Sequence, residues 1–465
     1  MSSSRDAQNP ILHYQLTYIF RFLLASLNIE TILQESTIYR RRERLGKMTS
    51  GLGLEGVYGA TIERIRAQGG DKSRLGMGAL MWISYSERPL SPGELCHALA
   101  IELDSTDFNT SNIPSISTLV SCCQGLITVD KRVLEVRLIH FTLQEYFSTH
   151  PDIFSRPHSV IAEICLTYLN SRQVKAISQP SETTSDSYTA SDDALDWDSA
   201  FNQDETFLEY CSRYWGNHAR KELSDCPRSL ALELFRQFNG HISGALLLQQ
   251  EPWCFPSDGY RSFNGIDCAS FLGIVEIVAA LMETGCFDLD EGGYQGCTPL
   301  SWAAMGGHVE VVTILLRQEE VNPDKPNNYG RTPFSYAAAE GHREIMKILL
   351  GREEVDPEKP DNEGRTPLSW AAASGREEAV KILLGWEGVS PDKPDNNGQT
   401  PLSHAARSGC EAVAKILLEG GEVNPDEPDN NGRTPLSYAA ECKNGSYDAS
   451  ENSTRAGRGQ PGHAG

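Results

Sequence analysis

Thr-Pro-Leu or Thr-Pro-Phe recurs at Thr298, Thr332, Thr366, Thr400 and Thr434, at a constant interval of 34 residues. A fixed period of this size marks a stack of supersecondary units and outranks any local reading of the chain. Within each unit, Thr suits a helix N-cap, and the following Pro sits where its missing N–H costs nothing. The Ala-Ala pairs (Ala303-Ala304, Ala337-Ala338, Ala371-Ala372, Ala405-Ala406) leave one helix face flat for close approach of the next unit. Gly307, Gly341, Gly375 and Gly409 suit a left-handed helix stop. A second helix follows, as in Val309 to Leu316, and a Pro/Asp/Asn/Gly loop turns the chain back. Helix pairs this short bury their apolar faces only by stacking.

These residues resemble the ankyrin repeat: Thr-Pro-Leu, Ala-Ala, Gly307-His308 and Gly341-His342, then Val/Ile and Leu-Leu. The period is one residue longer than the usual 33, and the extra length is assigned to the Pro-rich loop. Ser301, Ser335, Ser369, Ser403 and Ser437 stand where the family has His after Leu. Four full units run from Thr298. Asn264–Cys297 is expected as a degenerate cap, with Ala269, Ser270 and Gly273 in register, and a partial sixth unit starts at Thr434 and fades after Ala440.

The net charge of −22, with pI near 5.0, is poorly suited to gripping nucleic acid or an anionic membrane. Twelve scattered cysteines without a CxxC read as reduced thiols in an intracellular protein. The apolar run Ile11–Leu27 is interrupted by His13, Gln15 and Arg21, so an amphipathic helix is expected there. A cytoplasmic location follows by default.

Residues 1–54 read as helical. Gly46-Lys47 is not a phosphate loop, because Arg41 and Met48 occupy the positions that need Gly and Ser/Thr. Residues 55–150 predict helices at Leu75–Ser84, from Ser91 through Ile101 with a Ser-Pro-Gly-Glu capping box, and at Ser115–Cys123. A hairpin of Leu126–Val129 and Val133–Ile139 follows, then a helix from His140. Helices followed by a hairpin describe a winged helix. A helical extension is expected at 151–175. An acidic, disordered linker is expected at 176–206, since no Lys or Arg lies between Lys175 and Arg213. A helical linker at 207–263, the array at 264–442 and a disordered tail at 443–465 complete the expected order.

The order FRFLLASLNIETIL, ALMWISYSERPLSPGEL, LIHFTLQEYF and then the repeats resembles fungal NACHT–ankyrin proteins, NOD-like receptor relatives of the STAND class. The resemblance implies the portion that follows a nucleotide-binding core: the end of the NACHT module (1–54), the winged helix and a sensor array. It further implies that His140 of the HFTLQEY segment would touch the phosphate of bound ADP if another chain supplied the core. The preferred reading of His140 is a histidine bonding its own domain.

No catalytic, cofactor or metal site is expected. The loops PDKPDNNG and PDEPDNNG interrupt the calcium-ligand alternation with Pro. Cys122-Cys123 has no visible base partner, and no HExxH or GxSxG occurs. Trp302, Tyr336, Trp370, His404 and Tyr438 occupy a core-facing slot. By resemblance, the exposed contact positions are Tyr329, Arg331, Glu340, Glu363, Arg365, Ser374, Asn397, Gln399 and Arg407. The expectation is a mainly α, non-enzymatic scaffold: an ankyrin solenoid, preceded by a helical and winged-helix region, that binds a protein partner. Residues 298–433 carry 23 acidic and 14 basic residues, a net of −9, which favours a partner with a basic patch. The alternatives are a partner-completed NTPase switch subunit, a DNA-binding winged-helix regulator, and a truncated gene product whose array stops mid-repeat.

Overall fold

A computed structural model describes residues 36–43, 54–103, 108–177, 206–249, 262–420 and 423–443. The expectations for most of 1–54, for the linker at 176–206 and for the tail fall outside these residues. The described residues divide into two compact units, one of 36–168 with 206–211 and one of 169–177 with 212–443. The expected helical linker at 207–263 is therefore shared between them.

In the first unit, α1 (Leu54–Ala67) packs on α2 (Gly70–Tyr85), which also touches α3 (Pro92–Ala100) and α4 (Ile116–Cys122). Gly76 makes this close approach possible: a Cβ there would stand 2.8 Å from the Ile65 side chain and 2.9 Å from the Cys122 carbonyl. The α3 capping box forms as expected, Ser91 and Glu94 each bonding the other's backbone N–H. Trp82 is fully buried and meets the edges of Phe207 and Tyr210. Strands β1 (Ile127–Asp130) and β2 (Glu135–Leu138) form the antiparallel hairpin, and Leu90 adds a bridge to Val136. The second strand starts two residues later than its sequence suggests. Val133 and Leu134 lie in the turn and are exposed, and the Asp130 side chain ties that turn by accepting from the Arg132 N–H. Helices α5 (Phe141–Thr149) and α6 (Pro157–Leu169) follow.

The second unit is the repeat array with its helical lead-in. First helices of successive repeats stack on one another, and so do second helices. Thr298, Thr332, Thr366 and Thr400 each accept the N–H three residues on. The segment expected to cap the array is itself a full helix pair, Gly265–Leu272 and Val275–Glu283, opened by an Asn264 capping box. It is covered in turn by Asp225–Arg236, so the lead-in and not this repeat closes the array's N-terminal side. Contact there is backbone-close, since a Cβ on Gly265 would lie 2.1 Å from the Phe235 carbonyl oxygen. A run of edge-packed rings, Phe235–Phe238–Phe263–Trp302, carries this core into the repeats. The sixth first-helix continues to Lys443, beyond the Ala440 expected.

Three ladders fasten one repeat to the next. His308 and His342 bond through Nε2 to the carbonyls of Phe271 and Met305, at 2.8 and 3.0 Å; Arg376 makes the same bond to Ala339. Asn362, Asn396 and Asn430 each bond back to the preceding turn, through their backbone N–H and again through Nδ2. In the Pro-rich loops Lys325 reaches Asp290, Lys359 reaches Asp324 and Lys393 reaches Glu358. The loop to which the extra length was assigned is thus a clamp between neighbours rather than slack chain.

Two consequences can be measured. At the next clamp position Glu427 replaces Lys and Asp392 keeps one buried oxygen without a partner. Glu427→Lys is therefore expected to stabilise the array by about 1 kcal/mol, the scale of a half-exposed ion pair, as a higher melting temperature. Burial lowers the His308 pKa to about 4, against the opposing pull of its Phe271 bond. A folded value below the unfolded 6.5 means stability is complete above pH 6.5 and is lost as pH falls toward 4, by roughly 3 kcal/mol in all. Asp267 is raised by burial and acts in the opposite sense. The check is therefore the difference from His308→Gln, which should lose pH dependence across that window.

Candidate partner-binding face

The turns before each first helix are built by one side chain. Asn327, Asp361, Asp395 and Asp429 are buried, and Oδ1 of each accepts two backbone N–H groups of its own turn. The remaining atom of the same group meets the core-facing slot nine residues later. Trp370 Nε1 donates to Asp361 Oδ2 at 3.0 Å, His404 Nε2 to Asp395 Oδ2 at 3.1 Å, and Tyr438 OH to Asp429 Oδ2 at 2.6 Å. Burial lowers the His404 pKa despite Asp395, so a neutral imidazole makes that bond. In the turn before Thr332 the polarity reverses: Asn327 Nδ2 donates to Tyr336 OH at 2.8 Å. Gly293 occupies the matching position for Trp302, whose indole N–H is buried without a partner. The aromatic slot is thus packing with a polar anchor, as expected, although the acid anchoring it has no signature beyond its register.

The residues expected to be exposed contacts divide. Tyr329, Ser374 and Asn397 are exposed, Tyr329 by 39%. Glu340 is half-buried and pairs with Arg376, and Glu363 is half-buried and pairs with Arg365. Arg365, its side chain 13% exposed, also pairs with Asp361 and lies 4.0 Å from the Trp370 ring. Arg407 is half-buried, with Nε enclosed and unpartnered. Two expectations are corrected. Gln399 is 9% exposed because its amide donates to Tyr438 OH, and Arg331 is 8% exposed because its guanidinium lies between rings. Its carbon centre is 4.0 Å from both the Tyr336 and the Trp370 centroids.

The second helices expose both signs, Arg343, Lys347, Lys381 and Lys415 lying there beside the acids. The exposed acids sit on second helices and the loops after them, as with Glu310, Glu344, Glu377, Glu411, Glu354 and Asp356. The turn-and-first-helix face carries Arg331, Arg365, Arg407 and Arg433.

In the first unit His140 caps α5: Nδ1 lies 3.3 Å from the Thr142 N–H and 2.9 Å from Thr142 Oγ1, which in turn meets Tyr58 OH at 2.8 Å. Phe141 beside it is 61% exposed. On the wing, Arg137 is tied to Glu135 at 2.5 Å.

Residues 266–361, 319–395 and 383–451 match the family model of ankyrin repeats, and residues 64–166 match that of the winged helix domain of GPI inositol-deacylase. No curated protein matches the chain. Its C-terminal part is an ankyrin-repeat array, a module of protein–protein contact, and its winged-helix part resembles the one named. Among the described residues no helix is long and apolar enough to cross a membrane.

Proposed function

We propose that this chain is a non-enzymatic interaction protein whose array holds a protein partner on the turn-and-first-helix face, in a signalling setting of the NACHT type. The observation that carries this reading is a contrast inside the array. The anchoring column repeats as Asn327, Asp361, Asp395 and Asp429, while the tip column two residues on runs Tyr329, Glu363, Asn397 and Asn431. Scaffold is held and tips vary, which suits recognition by a rigid surface. The winged-helix half supports the setting only, through its likeness to NACHT-associated modules. A DNA-binding reading is disfavoured by the pairing of Arg137 and the acidity of the chain.

The reading is tested by placing a photo-crosslinking amino acid at Tyr329 or at Glu377 of the full chain in cells. A defined protein adduct is expected at the Tyr329 position and not at the second-helix position. Adducts at Glu377 alone would overturn the face, and adducts at neither would overturn the function.

A further inference from the structure

The guanidinium of Arg331 is a buried cation that makes no salt bridge, Asp361 attracting it only from beyond contact distance. Among the described residues no hydrogen bond or ion pair reaches its side chain, and its Nε is enclosed with no acceptor. Two ring faces hold it in place. That does not replace a carboxylate, because a buried charge left unpaired is strongly destabilising. The neighbouring turn shows what is missing. One repeat later Arg365 Nε bonds Asp361 Oδ2 at 3.2 Å. In the turn of Arg331 the equivalent position is Asn327, which is neutral and spends its Nδ2 on Tyr336. Compared with the Arg365 turn, the Arg331 turn keeps the cation and its ring walls but has no acid of its own.

We propose that this omitted acid is supplied by the partner: the turn before Thr332 is a subsite for an aspartate or glutamate side chain of an acidic peptide segment. Carboxylate and guanidinium match in charge and planar geometry. Tyr329 is the exposed tip of the same turn. Arg407, with its own enclosed and unpartnered Nε, offers a second cation on the same face toward the next repeats. A polyanion such as nucleic acid is disfavoured, because the surrounding array carries a net of −9 over residues 298–433. A short segment with one or two carboxylates takes the local attraction without the wider repulsion. This rests on the array's being the partner-binding part.

The test uses the full chain and a random 12-residue phage-displayed peptide library, with affinities of synthetic hits read by fluorescence anisotropy. Retained peptides are expected to carry Asp or Glu, and to weaken at least tenfold when that residue becomes Asn or Gln. Asn327→Asp supplies the acid internally, as Asp361 does for Arg365. It should weaken the same peptides at least tenfold while raising the melting temperature. Arg331→Met should do likewise, so lost binding cannot be attributed to unfolding. Hits without acidic residues, or acidic hits indifferent to both variants, would overturn the subsite while leaving the interaction reading intact. Retention of a DNA duplex that Arg331→Met abolishes would overturn the choice of a carboxylate. No peptide retained at all would overturn the interaction reading with it.

Discussion

Gly273→Val is expected to cost about 4 kcal/mol and to unfold the first repeats of the array. Two separable effects add there. The residue has φ of +70°, where a β-branched side chain is strained by about 1–2 kcal/mol. Its Cβ would also stand 2.3 to 2.5 Å from the imidazole of His308, which then loses its bond to the Phe271 carbonyl. Gly285 separates the two, since its φ is +62° but nothing lies within 4 Å of an added Cβ. Gly285→Val should therefore show the strain alone. Urea melts of the two variants give the comparison; equal losses would mean that the His308 contact contributes nothing to repeat docking.

Asp361→Asn is expected to cost about 2–3 kcal/mol, and the companion change Trp370→Tyr should recover much of it. The carboxylate accepts from the Glu363 and Arg365 backbone N–H groups, from Trp370 Nε1 and from Arg365 Nε. An amide keeps the first two bonds but turns a donor toward two donors, stranding buried polar groups. Tyrosine at 370 offers an acceptor, which recreates the Asn327–Tyr336 pair one repeat earlier. A double-mutant cycle in chemical denaturation measures the coupling. If the double variant is as unstable as the sum of the singles, the slot and its anchor are not a unit.

Much of this was legible before any coordinates, and the reason is repetition. Thr298 to Thr434 fix a period, and every role tied to that register (the Thr cap, the left-handed Gly, the Ala-Ala face) follows from chemistry local to a few residues. Contacts between registers were not legible. Lys359 meets Asp324 across 35 positions of chain, and nothing in either loop announces the other. Arg331 misled for a different reason. A turn arginine reads as solvated, and its burial depends on Trp370, in a neighbouring repeat, closing over it. Asp361 and Trp370 were each visible, but the bond between them joins a turn to a helix. On the winged helix, the Ser91 capping box was local and held, whereas the Leu90 bridge to Val136 required tertiary approach.

The lysine clamps also give the array a preferred place to part. Each joins only adjacent neighbours, so a load applied along the stack passes through every junction in series and the weakest yields first. With Glu427 standing where a lysine would meet Asp392, the fourth-to-fifth junction lacks its clamp and is that place. In single-molecule extension, the fifth and sixth units should part from the rest first, and Glu427→Lys should raise the force at which that step occurs. The sequence of openings along the molecule is thus written in one column of side chains.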